Sequence, residues 1–160
     1  MINTALKAGI DINTVDEQGY PPLIMAVACE FDDIVQLLIA KGADVNCAVQ
    51  GYSPLMVAAE NGLISISNAL IEANADINAH TEVGLSVLMA VSRYGFIDLV
   101  IKLLSKGVDA RAKTNGGSTA LMIAKQFKQD KVIELLEKHL GIFDYGVSSE
   151  LLEMIAVKKY

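Results

Sequence analysis

Gly42-Ala43-Asp44-Val45-Asn46 returns as Asn74-Ala75-Asp76-Ile77-Asn78, and the same shape stands in Gly9-Ile10-Asp11-Ile12-Asn13 and Gly107-Val108-Asp109-Ala110-Arg111. The steps between the four are 33, 32 and 33 residues. A second register keeps the same beat. Gly19, Gly51, Gly84 and Gly117 are 32, 33 and 33 apart, and each is followed four residues later by a leucine, Leu23, Leu55, Leu88 and Leu121. Two registers with one period of this length predict a solenoid, in which each unit packs only on its neighbours.

Each unit holds two helical patterns. The first covers 22–30, 54–61, 87–94 and 120–127. Pro22 and Pro54 suit a first helical turn, where a missing N–H costs nothing. Ser53, Ser86 and Thr119 stand where a hydroxyl can cap orphan amides, which Pro21 cannot do. Small residues (Ala26, Ala58, Ala59, Ala124) allow close helix approach. The second pattern covers 33–40, 65–73, 98–105 and 130–138. Its apolar residues recur three and four apart, as in Ile34, Leu37, Leu38 and in Ile66, Leu70, which predicts one buried face. The Gly or Asn that follows reads as a left-handed helix end.

The pattern resembles the ankyrin repeat. It rests on Gly19-Tyr-Pro-Pro-Leu-Ile-Met-Ala-Val, Gly51-Tyr-Ser-Pro-Leu-Met-Val-Ala-Ala, Gly84-Leu-Ser-Val-Leu-Met-Ala-Val-Ser and Gly117-Ser-Thr-Ala-Leu-Met-Ile-Ala-Lys, together with the Gly-Ala-Asp-Val-Asn turns, and covers about residues 1–140. The resemblance implies an all-α solenoid of helix-turn-helix units with β-turn loops. About four full repeats (14–46, 47–78, 79–111, 112–140) are expected in one domain, with a half repeat over 1–13 and a cap over 141–160. The half repeat fits a terminal cap and equally a piece of a longer array. In the cap, Leu151, Leu152, Ile155 and Ala156 read as an amphipathic helix behind Ser148-Ser149-Glu150. This chain departs from the family in several places. The family's His after Leu is Ile24, Met56, Met89 or Met122 here, which predicts cohesion by apolar packing in place of polar links. Glu30 replaces the Gly between the helices, and the second full repeat is one residue short at its turn. Lys102 takes a usually apolar position, with its stem expected in the core and its ammonium in water. In a eukaryotic cell the resemblance would also make Asn46 and Asn78 candidates for turn-asparagine hydroxylation.

The chain has 160 residues, 52% of them apolar and 20% charged, and a mean hydropathy of +0.40. Disorder needs the opposite balance. The longest uncharged run, Val45 to Ala59, is 15 residues and contains Asn, Gln, Gly and Pro, too short and too polar for a span of about 20 residues. A net charge of −6 argues against nucleic acid. Residues 1–92 carry 11 acids and only Lys7 and Lys41, whereas 93–160 carry 11 bases and 8 acids. Such a gradient can orient a charged partner. Two cysteines, Cys29 and Cys47, make no disulfide framework, so a reducing, intracellular (cytoplasmic) setting is expected. The amino terminus lacks the layout of a signal peptide, although secretion by another route stays open.

No enzyme or cofactor motif appears. His80 and His139 fall at least two units apart, so no shared metal is expected. Asp11, Asp44, Asp76 and Asp109 fall one per unit, at a stacking distance of about 10 Å. Paired-acid chemistry works at roughly 5–9 Å, so these aspartates read as caps on turn amides. Cys29 has no basic neighbour in sequence to mark it as a thiolate.

What remains is surface. The resemblance implies a protein partner held on the concave face, through variable positions beside the turn and on the first helix. On this chain the candidates are Gln18, Tyr20, Gln50, Tyr52, Glu60, Leu85, Arg93, Tyr94 and Phe127. Tyr and Arg are enriched at binding hot spots, so Tyr20, Tyr52, Arg93 and Tyr94 lead. Tyr20, Tyr52 and Leu85 would form a column, one per unit, unless they only pad the turn edges. An alternative is an assembly element that stacks on further repeats or self-associates weakly through the edge at the half repeat. The high hydropathy favours some exposed apolar surface, since a solenoid has no single deep core.

Overall fold

The computed structural model describes residues 11–142. Most of the half repeat expected over 1–13 and of the cap expected over 141–160 lies outside the described residues. Among the described residues eight helices follow one another in pairs: α1 (Pro22–Ala28) with α2 (Asp32–Ala40), α3 (Pro54–Glu60) with α4 (Ile64–Glu72), α5 (Val87–Tyr94) with α6 (Ile97–Ser105), and α7 (Ala120–Gln126) with α8 (Asp130–Leu140). Odd helices stack in one layer (α1 on α3, α3 on α5, α5 on α7) and even helices in a second (α2 on α4, α4 on α6, α6 on α8). The result is an all-α array of stacked helix pairs. The expected helices stand within two residues of their expected ends.

Helices of seven to eleven residues are too short to persist alone, so stacking must hold them. Ser53, Ser86 and Thr119 each accept the amide three residues on, at 3.2–3.3 Å, and Pro21 offers no such cap. Each cap is worth about 1 kcal/mol. Leu23, Leu55 and Leu88, three of the four leucines of the second register, are fully buried, and Leu121 is half-buried. So are Met56 and Met89, and Ile24 nearly so, at the position where the family has histidine. Met122, on the outer side of the last odd helix, is exposed.

All eight helices end in the same way. A residue with positive φ follows each one: Glu30, Gly42, Gly62, Asn74, Gly95, Gly107, Lys128 and Gly141. The next amide then reaches back five residues to a helix carbonyl, as from Phe31 to Ala26 and from Ala43 to Leu38, both at 3.0 Å. This is the Schellman closure, and it spends orphan carbonyls without side chains. Gly62 has a second reason to be glycine. A Cβ there would stand 2.6 Å from the Phe96 ring of the next pair.

Polar links do tie the units together, contrary to the expectation drawn from the missing histidines. Asn13 Oδ1 accepts the Asp44 amide at 2.9 Å, Asn46 Oδ1 accepts that of Asp76 at 2.7 Å, and Asn78 Oδ1 accepts that of Asp109 at 2.8 Å. Within each turn the aspartate carboxylate (Asp11, Asp44, Asp76, Asp109) accepts the amide two residues on, at 2.9–3.0 Å, as its capping role predicts. The Lys102 ammonium is also not simply in water. It donates to Glu72 of the preceding pair at 2.6 Å, with Lys106 at 3.6 Å from the same oxygen. Glu72 is held below the usual carboxylate range by that hydrogen bond first and by both ammonium charges second. The pair is exposed and worth little in stability.

Glu30 and Lys128 hold the left-handed backbone at φ 59° and 56° without being glycine. Left-handed backbone costs a residue with a Cβ roughly 1–2 kcal/mol, partly offset by the extra freedom glycine has when unfolded. Each stands between the carboxyl end of one helix and the amino end of the next, so the two helix dipoles oppose one another at either charge. Lys128→Gly and Glu30→Gly are therefore each expected to raise unfolding stability by up to about 1 kcal/mol. Urea unfolding of the two variants checks the sign.

Candidate protein-binding surface

The nine candidate residues fall into two groups, at opposite ends of the odd helices. Gln18, Tyr20, Gln50, Tyr52 and Leu85 belong to the turns that lead into α1, α3 and α5. Glu60, Arg93, Tyr94 and Phe127 stand where α3, α5 and α7 end.

The turns are hairpins of two kinds. In three of them a side chain at the base closes the loop. Asp16 Oδ1 accepts the Tyr20 amide at 2.8 Å, Thr81 Oγ1 that of Leu85 at 3.2 Å, and Thr114 Oγ1 that of Ser118 at 3.1 Å. The remaining turn is the one that is a residue short. Val49 and Tyr52 exchange both backbone hydrogen bonds, at 3.1 and 2.9 Å, around Gln50 and Gly51 at φ 52° and 80°. Two central residues with positive φ make a type I′ turn, the tightest that a right-twisted hairpin accepts. Neighbouring hairpins then touch. A Cβ on Gly51 would meet the Thr81 backbone at 2.8 Å, and Asn115 reaches back with its amide to Val83 and with Nδ2 to Glu82, both at 3.0 Å.

Tyr20 and Tyr52 are exposed, as are Gln18 and Gln50 at the tips, whereas Leu85 is half-buried and packs against the core. The tyrosines thus stand one per unit on the surface, and the third member of the expected column serves partly as packing. No rings of the column pair with one another. Among the described residues the stacked aromatic pair is Tyr94 with Phe96, centroids 5.7 Å apart and planes 26° apart.

The second group does come together. Arg93 Cζ lies 4.8 Å from the Phe127 centroid and 5.5 Å from that of Tyr94, so one guanidinium bridges rings of two successive pairs. Such contacts are worth about 0.5–1 kcal/mol each at exposed sites. Gln129 Nε2 donates to the Arg93 carbonyl at 3.0 Å and ties the end of α5 to the next unit. Glu60, half-buried on the preceding pair, has its carboxyl pushed up by burial and held part way down by the Arg93 charge. Phe96 and Gln129, which the sequence reading missed, occupy one position of the repeat and rest on Gly62 and Gly95 of the pair before. The glycine one beat earlier was the available signal.

Two hollows adjoin these groups. A cleft of about 350 Å³ opens between the later hairpins, lined by Asn78, His80, Thr81, Glu82, Lys113 and Asn115. Another, of about 390 Å³, lies on the outer side of α1, lined by Val15, Tyr20, Pro22, Met25, Cys29 and Phe31. Among the described residues no three His, Cys, Asp or Glu side chains are grouped to hold a metal, and no helix is long and apolar enough to cross a membrane.

A family model described as ankyrin repeats (3 copies) matches residues 1–81 and 68–147. No curated protein matches the chain.

The two thiols differ in reach. Cys29 is exposed, whereas Cys47 is half-buried, its thiol pushed up to about 11 by burial first and by the Asp44 charge second. The thiolate is the reactive form. Iodoacetamide at neutral pH is expected to label Cys29 well before Cys47, and peptide mapping of a time course reads the order directly.

Proposed function

The chain belongs to the ankyrin repeat family, whose domains generally mediate protein–protein interactions, and we propose that it is a non-enzymatic module holding a protein partner on the concave side of the stack. The observation that carries this reading is the exposed Arg93, held against Tyr94 and Phe127 across two units, with Tyr20 and Tyr52 exposed on the turns that lead into α1 and α3. Rigid aromatics and an arginine held in place are what hot spots are made of, because little side-chain entropy remains to be lost on binding. The reading takes four full repeats over about 14–46, 47–78, 79–111 and 112–140, with a half repeat before and a cap after. The net charge of −6 disfavours nucleic acid as the partner, and the two free thiols favour a reducing compartment.

The test is alanine at Tyr20, Tyr52 and Tyr94 together. These side chains are exposed, so thermal unfolding should move little. Proteins enriched by the parent chain from the source cells, identified by mass spectrometry, should be lost with the variant. Undiminished capture by the variant would falsify the site.

One observation favours assembly as a second reading. Positions at α1 and just after it that face a preceding unit are open, whereas their equivalents are buried or half-buried. Met25 is 46% exposed, against 1% and 9% for the equivalent Ala90 and Ile123, with Val57 half-buried. Phe31, equivalent to the Phe96 that rests on Gly62, is 55% exposed. On this reading the edge stacks on another repeat face, including that of a second copy. Sedimentation velocity over a wide concentration range then shows association that Met25→Glu with Phe31→Glu abolishes. A parent chain that stays monomeric throughout rules self-association out.

A further inference from the structure

We propose that Arg93 is the anchor for a partner carboxylate, borne on a peptide segment that places apolar residues beside it on Tyr94 and Phe127. The inference rests on the protein-binding reading above and gives the contact its chemistry. A guanidinium offers five donors in a planar fork that matches a carboxylate with two parallel hydrogen bonds. At Arg93 that fork is held against two rings. The Phe127 ring lies on the next pair and the Tyr94 ring on its own, so swinging the side chain away gives up contacts to both. The backbone beneath it is fixed by the Gln129 bond. A fork already held loses less freedom when a ligand closes on it.

Among the described residues three lysines are already paired on the surface, whereas Arg93 is not, and its two rings set it apart from the other unpaired cations. Lys102 and Lys106 share Glu72, and Lys125 holds Glu137 at 2.7 Å. Among the described residues no carboxylate pairs with Arg93 within ion-pair distance. Glu60 is near enough to feel its charge without closing on it. Tyr94 and Phe127 are exposed, and they supply an apolar bed beside the fork. An unpaired cation in contact with two rings suits one acid with apolar neighbours. A polyanion would meet the repulsion of a chain carrying net −6. Glu60 repels an arriving carboxylate, so its charge opposes the binding that Arg93 promotes.

That opposition gives the test two signs. Random peptides displayed on phage are panned against the full chain, and the affinities of the enriched peptides are measured for the parent, Arg93→Gln, Arg93→Lys and Glu60→Gln. The expected peptides carry an Asp or Glu next to apolar residues. Arg93→Gln should weaken them about tenfold or more, and Arg93→Lys should also weaken them because an ammonium lacks the fork. Glu60→Gln should tighten them, which a purely apolar site would not do. Far-ultraviolet dichroism and unfolding of each variant confirm that the fold is intact. Peptides enriched without an acid, or insensitive to Arg93→Gln, overturn the anchor and leave the protein-binding reading standing. Failure to enrich any peptide counts against both.

Discussion

The structure depends on reversing the chain twice in every 33 residues without leaving helix ends unsatisfied. Each of the eight described helices stops at a single left-handed residue, and the amide after it returns to a carbonyl five residues back. The device uses only backbone, so side chains on the two reversals are released for other work. Some of them pack, as when Phe96 lies on Gly62. Others stay on the surface, as Tyr94 and Phe127 do at the ends of α5 and α7. A variable surface on a fixed frame follows from closing helices this way, because the closure asks almost nothing of residue identity except at the left-handed position itself.

Much of this was legible because the residues that repeat are the ones with special backbone demands. Gly19, Gly51, Gly84 and Gly117 marked the hairpins, and Pro22 and Pro54 marked helix starts, since each residue type has a conformational reason to stand there. The helices, their pairing and the capping aspartates followed. The asparagine ladder did not. Asn13, Asn46 and Asn78 bond to backbone amides 30 or 31 residues on, and a backbone donor leaves no trace in residue type. Glu30 and Lys128 were equally silent, because stacking can impose a left-handed backbone that their own preference opposes. The short second turn was visible as a missing residue, but not the hairpin type that absorbs it. Of the candidate surface, exposure of the tyrosines was readable from the repeat, whereas the meeting of Arg93 with Phe127 was not. Those two residues come from different positions of the repeat, one on α5 and one just after α7.

The charge gradient along the chain takes a physical place in the stack. Acids dominate residues 1–92 and bases gather from Arg93 onward. The change of sign falls between α3 and α5, where half-buried Glu60 sits within the influence of Arg93. Several of the later cations are already neutralised on the surface, Lys102 and Lys106 by Glu72 and Lys125 by Glu137. The net field of the second half is therefore weaker than its residue count suggests. Local geometry at Arg93 then matters more than the overall gradient, because exposed pairs and distant charges are screened within about 10 Å.

The asparagine ladder also has a direction, and it treats the two sides of the described stack differently. Each rung runs from an asparagine to the amide of the following turn, and the fourth turn carries Arg111 where an asparagine would stand. That guanidinium donates instead to the Leu140 carbonyl at 3.2 Å, at the end of α8. Where the earlier turns accept an amide through asparagine, this longer side chain donates to a helix end, and the last described helix is fastened to the pair before it. Among the described residues nothing equivalent fastens the outer side of α1, where Met25 and Phe31 keep the apolar character of a stacking position while remaining exposed. Part of the exposed apolar surface therefore lies in the bed around Arg93 and part at the α1 edge, where Phe31 takes the position that Phe96 fills against Gly62 between two described helix pairs.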